Sequence, residues 1–464
     1  MTKIKPKIFI VISDGVSLRN FVYSDFYRLA DIKGYEIHFL NTTVFELSKL
    51  GLSEIRVNTK THPITNILKN VRKHIELRRF TERYNNGIYL KYLFPLSFKG
   101  IKNFVKSSIT TVLVKMLNSE KGILKVRSWI KLLESNTKTY KEFLKIFKDH
   151  KPDLIYNTSQ RAVSSIAIIQ SAKQLKIPTI GFIYSWDNLP KATLDVETDF
   201  YHVWSQHMKE ELLCYHHFID KDAITVTGTP QFEPHFYGDK LLSKDDFYAK
   251  YNLKPDVNYI CFSGDDITTS PKDPLYLRDV AAAVKELNNG GKNLGIIFRR
   301  CPVDLSDRYD SVINEYQDII HPIDPIWKPL GKVWDAILPA EDDALLLANI
   351  AEHCALVVNL GSSMVFDFVA HHKPCAYFNY NYLNPKNIEE AGVFVYDYIH
   401  FQSMPENHAV YWIDSKKDCK KIILKAIESP LDRVEAAERW FKKINHYPFN
   451  KASDRIWENI SNHL

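Results

Sequence analysis

The segment from Ala355 to Asn379 constrains the chain most, because two short apolar runs flank one helix-length stretch. Leu356 to Asn359 reads as a buried strand, Gly361-Ser362-Ser363 as a turn, Met364 to His371 as a helix, and the run from Pro374 as a second strand. That order marks a parallel α/β unit. Ser362 and Ser363 fall at the helix N-cap, where hydroxyls and free backbone N–H groups meet the positive end of the helix dipole. Such an end seats phosphate, here with the Gly361 backbone beside it. Asp367 lies one turn further in, placed to accept from a ribose hydroxyl. An ordinary capped helix between two strands satisfies the same pattern.

The rhythm repeats on either side. Lys7 to Ser13 reads as a strand, Asp14-Gly15 as the turn out of it, Leu18 to Ile32 as a helix stopped by Gly34, and Tyr35 to Asn41 as the next strand. Doubly wound domains open this way and bind ligands outside the carboxyl ends of their strands, so Asp14, Gly15, Arg19 and Asn20 belong on the ligand side. From Pro152 a strand (Asp153 to Asn157), a helix (Arg161 to Leu175) and a strand (Pro178 to Tyr184) deliver Ser185-Trp186-Asp187-Asn188-Leu189-Pro190-Lys191 to the same edge. After Gly228-Thr229-Pro230 an aperiodic stretch to about Asp245 reads as a linker.

The pattern then restarts. A strand (Asn258 to Phe262) ends in Ser263-Gly264-Asp265-Asp266. The helix Asp273 to Leu287 follows, then the strand Leu294 to Phe298 with Arg299-Arg300-Cys301-Pro302. A strand from Val333 to Leu338 and a helix from Ala344 to Glu352 lead into the central segment, and three helices close the chain. A chain of 464 residues is too long for one core. Two Rossmann-like domains are expected, 1–230 and 231–446, with a final helix in 447–464 crossing back to the first.

One stretch carries the basicity. Thr65 to Lys148 holds 19 Lys and Arg against five acids, a surplus of 14 in a chain of net +6, which leaves the remainder at −8. Aromatics are interleaved, and helices are clearest from Gly100 to Leu117 and from Gly122 to Lys148. Either a solvated helical face or a surface for anionic membrane explains such a segment. No nucleic-acid motif accompanies the charge, so no nucleic-acid partner is expected. The six cysteines lack CxxC or other metal spacing and suit packed thiols in a reducing cytoplasm, with no metal. No apolar run has the length of a membrane span, and Met1 to Lys7 lacks a signal-peptide core. The expected location is the cytoplasm, peripheral on the inner membrane face.

Two doubly wound domains facing a cleft form the GT-B arrangement of glycosyltransferases. Val358-Asn359-Leu360-Gly361-Ser362-Ser363-Met364-Val365-Phe366-Asp367-Phe368, followed by Lys373-Pro374-Cys375-Ala376-Tyr377-Phe378, resembles the nucleotide-phosphate segment of the CDP-glycerol glycerophosphotransferase (teichoic-acid polymerase)-like family. Ser185 to Lys191 looks like that family's Trp-His-Gly…Lys segment, and is also similar to bacterial surface-polysaccharide glycosyltransferases. Trp204-Ser205, Val226 to Pro230 and Arg299 to Pro302 are similar to its further motifs in the same order. Two departures stand out, Asp187 and Cys301, each where the family has a histidine thought to serve alditol-phosphate chemistry.

The resemblance therefore implies sugar transfer on this scaffold: from a nucleotide-sugar donor to a surface-glycan acceptor, lipid-linked or free, without metal. It implies that Gly361, Ser362 and Ser363 hold the diphosphate with Arg299 or Arg300, that Gly264 permits close backbone approach, and that Trp186, Asn188 and Lys191 face the acceptor. An inverting transfer needs a base, and Asp187 and Asp14 are the two candidates. A CDP-alditol phosphotransferase, a non-hydrolysing UDP-sugar 2-epimerase and a silent carbohydrate-binding homologue remain as alternatives.

Overall fold

The computed structural model describes residues 5–330, 337–382 and 392–464. The chain divides into two compact units, Met1–Pro230 with Lys451–Leu464, and Gln231–Asn450.

The first unit begins β1 (Lys7–Ile12), α1 (Gly15–Phe21), α2 (Asp25–Ile32), β2 (Glu36–Asn41) and β3 (Glu54–Arg56). Four helices follow: α3 (Thr65–Tyr84), α4 (Ile101–Leu117), α5 (Glu120–Glu134) and α6 (Lys138–His150). The chain then runs β4 (Leu154–Asn157), α7 (Ile166–Gln174), β5 (Thr179–Phe182), β6 (Phe200–Val203), α8 (Gln206–Tyr215) and β7 (Ile224–Val226). The seven strands form one parallel sheet in the order β3-β2-β1-β4-β5-β6-β7. Continuous apolar runs such as Ile8 to Ile12, fully buried, require cover on both sheet faces. The order reverses between β1 and β4, and crevices in such sheets open at that point.

The second unit repeats the plan with α9 (Lys244–Lys250), β8 (Asn258–Ser263), α10 (Asp273–Asn289), β9 (Leu294–Arg299), α11 (Asp310–Glu315) and β10 (Ile320–Pro322). A two-stranded antiparallel ribbon, β11 (Trp327–Pro329) with β12 (Ile337–Pro339), comes next. Then follow α12 (Asp343–His353), β13 (Val357–Asn359), α13 (Met364–Val369), β14 (Cys375–Phe378), β15 (Tyr411–Ile413), α14 (Cys419–Glu428) and α15 (Leu431–Ile444). Its parallel sheet is ordered β10-β9-β8-β13-β14-β15, reversing between β8 and β13. Both units are thus Rossmann-like, as the sequence implies. The last helix, α16 (Ala452–Ser461), packs in the first unit, where Trp457 stacks on Phe26 at 4.6 Å and donates its indole N–H to the Phe26 carbonyl.

Several boundaries differ from the sequence reading. The helix expected over Leu18 to Ile32 is two, because the Ser24 hydroxyl caps α2 by accepting from Phe26 N–H. The one expected over Gly122 to Lys148 is also two, parted where Thr137 accepts from Tyr140 N–H. The stretch read as a linker is not one throughout. Phe232 is fully buried, edge-on to Phe366 and Phe441, and belongs to the second unit. Of the strand expected from Val333, residues 333–336 lie outside the described residues.

The basic segment is not a solvated appendage. Leu68 and Val71 of α3, Val126 and Ile130 of α5, and Phe143 and Phe147 of α6 share one core with Phe9, Val11 and Ile155 of the sheet. Beneath them lies a buried ion network. Arg72 donates to Glu76 at 2.6 Å and to Asp195 at 2.6 Å, and Arg127 donates to Glu76 at 2.7 Å and to Glu197 at 3.1 Å. It ties α3 and α5 to the loop between β5 and β6.

Helix α4 departs from that pattern. Ser107, Thr110 and Val114 turn inward, while Ile101, Phe104, Val105, Ile109, Val112 and Met116, at helical spacing, are exposed. Among the described residues no helix is long and apolar enough to cross a membrane.

Replacing one member of a buried ion network leaves its partners desolvated and uncompensated. Arg127→Met is expected to cost about 3–5 kcal/mol. Urea unfolding should show this as a lowered midpoint at unchanged slope, and a loss under about 1 kcal/mol would contradict it.

Candidate functional site

In the first unit the carboxyl ends of β1, β4 and β5 bring the candidate residues to one edge. Asp14 ends β1 and caps α1, accepting from Ser17 N–H at 2.8 Å and Ser17 Oγ–H at 2.9 Å. Burial raises its carboxyl above the usual range, against the pull of those bonds and of Arg161. Gly15 and Asn20 are buried in α1, and Arg19 donates to Asn20 at 3.2 Å.

The loop after β5 carries Asp187, and a chain of amides orients it. Tyr184 N–H donates to Gln160 Oε1 at 2.8 Å, Gln160 Nε2 to Asn188 Oδ1 at 2.8 Å, and Asn188 Nδ2 to Asp187 Oδ1 at 2.7 Å. Lys191 pairs with the other Asp187 oxygen and lies over the Tyr92 ring. Asp187 stays half-buried, whereas Trp186 and Asn188 are buried.

The phenol of Tyr184 gathers these groups. Its pKa is raised by burial, and it feels the charges of Asp14, Arg161, Arg19 and Asp187 together. Gln160, Arg161 and Tyr184 were not singled out in the sequence reading. The signal was available, since all three sit just beyond strand ends at the edge where ligands bind.

In the second unit the turn after β13 differs from expectation in how its donors are used. Gly361 has φ +65°, and a Cβ there would meet Val395 at 2.5 Å, so only glycine fits. Ser362 N–H donates to Asn359 Oδ1 at 2.9 Å, and the Ser362 hydroxyl accepts from Met364 N–H at 3.3 Å. Ser363 already has helical angles and makes no capping bond, and α13 is only six residues long. The doublet is therefore unequal, with Ser362 engaged in holding the turn.

Asp367 does not present a free carboxylate for a ribose. It is buried and accepts from His235 Nε2 at 2.8 Å, while the other ring nitrogen of His235 lies 2.9 Å from His371 and His371 lies 2.6 Å from Glu352. Burial and the His235 charge push His371 down to about 4. His235 was missed because it lies in the stretch read as a linker.

The remaining donor-side candidates are also committed to the fold. Arg299 points inward and is buried, donating through one nitrogen to both oxygens of Asp343 at 2.9 and 3.1 Å, while its Nη1 has no partner among the described residues. Asp343 further accepts from Ile326 N–H and the Trp327 indole, both at 2.7 Å. Arg300 points outward to Asp324 at 2.8 Å and the Ser306 carbonyl at 3.0 Å. Gly264 gives close approach to a side chain rather than to open space: an added Cβ would meet the Tyr309 hydroxyl at 2.9 Å. Tyr309 in turn donates to Asp273 at 2.7 Å, whose carboxyl burial raises to about 6. Burial also pushes the Cys301 thiol up to about 12, which rules it out as a ready nucleophile at neutral pH.

The chain is similar to a glycosyltransferase from Rickettsia africae ESF-5 (TM-score 0.53, 13% identity, 99% of each chain covered). It is similar to UDP-GlcNAc 2-epimerase from Methanocaldococcus jannaschii (TM-score 0.52, 14% identity, 99% of this chain and 100% of that one). It is also similar to the S. aureus MnaA–UDP complex (TM-score 0.53, 12% identity, 99% of this chain and 96% of that one). At these identities the likeness is one of fold, and the fold is GT-B. No family model matches the sequence, and no curated protein matches it either.

The Arg299 geometry makes a prediction that a pure phosphate ligand would not share. Arg299→Ala should destabilise the ligand-free protein by about 3–5 kcal/mol, because it strands Asp343 in the interior. An unchanged thermal midpoint without ligand would assign Arg299 to ligand binding alone.

Proposed function

We propose that the chain is a GT-B glycosyltransferase that moves a sugar from a nucleotide-sugar donor to a lipid-linked glycan acceptor, at the inner face of the cell membrane and without metal. The observation that carries this reading is α4, whose large apolar side chains face outward while Ser107 and Thr110 face inward. A row of exposed apolar groups interspersed in sequence with the exposed Lys99, Lys102, Lys106 and Lys115 suits an interfacial helix on an anionic surface. An enzyme that rearranges a free nucleotide sugar needs no such surface. Bacterial surface-glycan assembly on a lipid carrier does.

Asp187 is the base in this reading. Its carboxylate takes the acceptor hydroxyl proton as the acceptor oxygen bonds to the anomeric carbon. The bond from that carbon to the diphosphate breaks, and the nucleoside diphosphate leaves. Asp187 is half-buried and aligned by Asn188 and Gln160, with Lys191 on its second oxygen, whereas Asp14 is buried and caps the start of α1 through Ser17 N–H. Lys191, paired with Asp187, and Arg161 nearby supply positive charge on the acceptor side. The donor lies against the second unit near the Gly361-Ser362-Ser363 turn and the Ser263 to Asp266 loop, which end adjacent strands β13 and β8.

The test is transfer of radiolabelled sugar from UDP-, GDP- and CDP-sugars to a bacterial membrane lipid extract. Label should enter the lipid fraction and persist in EDTA. Asp187→Asn should lower kcat by about 10²–10⁴-fold with the fold intact. Asp14→Asn should change kcat less than about tenfold with the fold intact, because asparagine caps a helix as well as aspartate does. Interconversion of UDP-N-acetylglucosamine without acceptor would instead make the protein a 2-epimerase, and turnover of CDP-glycerol an alditol phosphotransferase.

A further inference from the structure

A cavity of about 440 Å³ opens between α3, residues 93–97, α4 and residues 192–195. Its size is that of a small-molecule site. Four cations line it, Lys69, Lys73, Lys106 and Arg161, against one acid, Asp195. That acid is already taken, by Arg72 at 2.6 Å and Lys69 at 3.3 Å. Among the described residues neither Lys73 nor Lys106 has a hydrogen bond or ion pair to its ammonium group. Burial, with the nearby charges of Lys191, Lys69 and Arg72, pushes Lys73 down to about 8 despite the opposing pull of Asp195. A half-buried cation whose ammonium makes no ion pair among the described residues is costly, and an anion entering the cavity lowers that cost.

One wall of the cavity carries an exposed aromatic ring. Phe94 lines it and is 84% exposed, and the Lys73 ammonium lies 5.8 Å from its ring centroid. From Phe94 the exposed apolar residues continue through Phe98 and Ile101 onto the outward face of α4. Two lysines, Lys73 and Lys106, without an ion pair among the described residues and an exposed apolar strip beside them describe one kind of occupant.

We propose that this cavity binds the phosphate or diphosphate head group of a single amphiphile, a polyisoprenyl or alkyl phosphate, whose chain lies along the outward face of α4. The assignment rests on the lipid-linked acceptor reading and locates its anchor. Lys73 and Lys106 pair with the phosphate oxygens, and Lys69 and Arg161 supply further positive charge. The acceptor hydroxyl is a separate matter, served by the Asp187 loop, whose continuation through Ala192 and Thr193 forms one wall of the cavity.

Calorimetry on the full-length protein with farnesyl diphosphate, farnesol and inorganic pyrophosphate tests this. Farnesyl diphosphate should bind at least about tenfold more tightly than either part. Lys73→Met and Lys106→Ala should each weaken it at least about tenfold, the loss of one charge-assisted contact, while Lys73→Arg should retain it. Thermal midpoints check that each variant is folded, and Lys106→Ala, at an exposed position, carries the test if Lys73→Met is not. Binding unchanged in both charge-removing variants would overturn the proposal. So would pyrophosphate binding as tightly as farnesyl diphosphate. Lysine-dependent adsorption to phosphatidylglycerol vesicles without farnesyl diphosphate binding would assign the cavity to bulk phospholipid and also overturn it. Sugar transfer is scored separately: lost transfer with intact, lysine-dependent binding refutes the enzymatic reading and leaves this site standing.

Discussion

The buried network of Arg72, Glu76, Arg127, Asp195 and Glu197 is what makes the first unit more than a bare Rossmann sheet. Each guanidinium bridges at least two carboxylates, so neither helix can slide without stranding a charge in the interior. The carboxylates belong to two places at once, Glu76 to α3 and the others to the loop after β5. That loop carries Asp187 and Lys191, so the position of the helical layer and that of the candidate base are set by the same ions. Arg127 adds a carbonyl bond to Leu194, and Arg72 one to Ala192, which fix the loop backbone as well as its side chains.

With α3 and α5 anchored this way, α4 is left to pack on α3 through small and hydroxyl-bearing residues. Thr110 and Thr111 satisfy themselves on carbonyls one turn back, and Ser107 bonds to the Ser97 carbonyl at 2.6 Å, so inward polar groups cost little. The large apolar residues Ile101, Phe104, Val105, Ile109, Val112 and Met116 then face out as one exposed row along the helix. The second unit shows the opposite economy. Around its central turn the polar groups are bonded to one another, with Asp367 on His235, Arg299 on Asp343 and Tyr309 on Asp273. These bonds commit Asp367, Arg299 and Tyr309 to the fold.

The parallel sheets were legible because fully buried strands must be continuous apolar runs, as in Ile8 to Ile12 and Tyr259 to Phe262. Short edge strands were not: Glu54 to Arg56 and Tyr411 to Ile413 have three residues each, too few for any period to appear. The charge of Thr65 to Lys148 was legible as a surplus, but its division was not. Arg72 has a local partner in Glu76 one turn on, but an i,i+4 pair alone does not bury a charge; the partners that separate buried Arg72 and Arg127 from exposed Lys102 and Lys106 lie more than a hundred residues away at Asp195, or about seventy away at Glu197. The same holds at the site. The Ser-Ser turn and the Asp187 loop could be placed from strand ends, yet the attachment of Asp367 to His235 depends on a tertiary contact across 132 residues.

A membrane-borne anionic amphiphile held by the first unit is the claim to which the account commits. Its most direct test is photocrosslinking of the intact protein with a benzophenone-bearing isoprenoid diphosphate in neutral vesicles, with labelled peptides mapped by mass spectrometry. Label should concentrate in peptides spanning residues 90–117 and be displaced by unlabelled isoprenoid diphosphate. Label confined to Gln231–Asn450, or spread evenly and resistant to competition, would contradict the account.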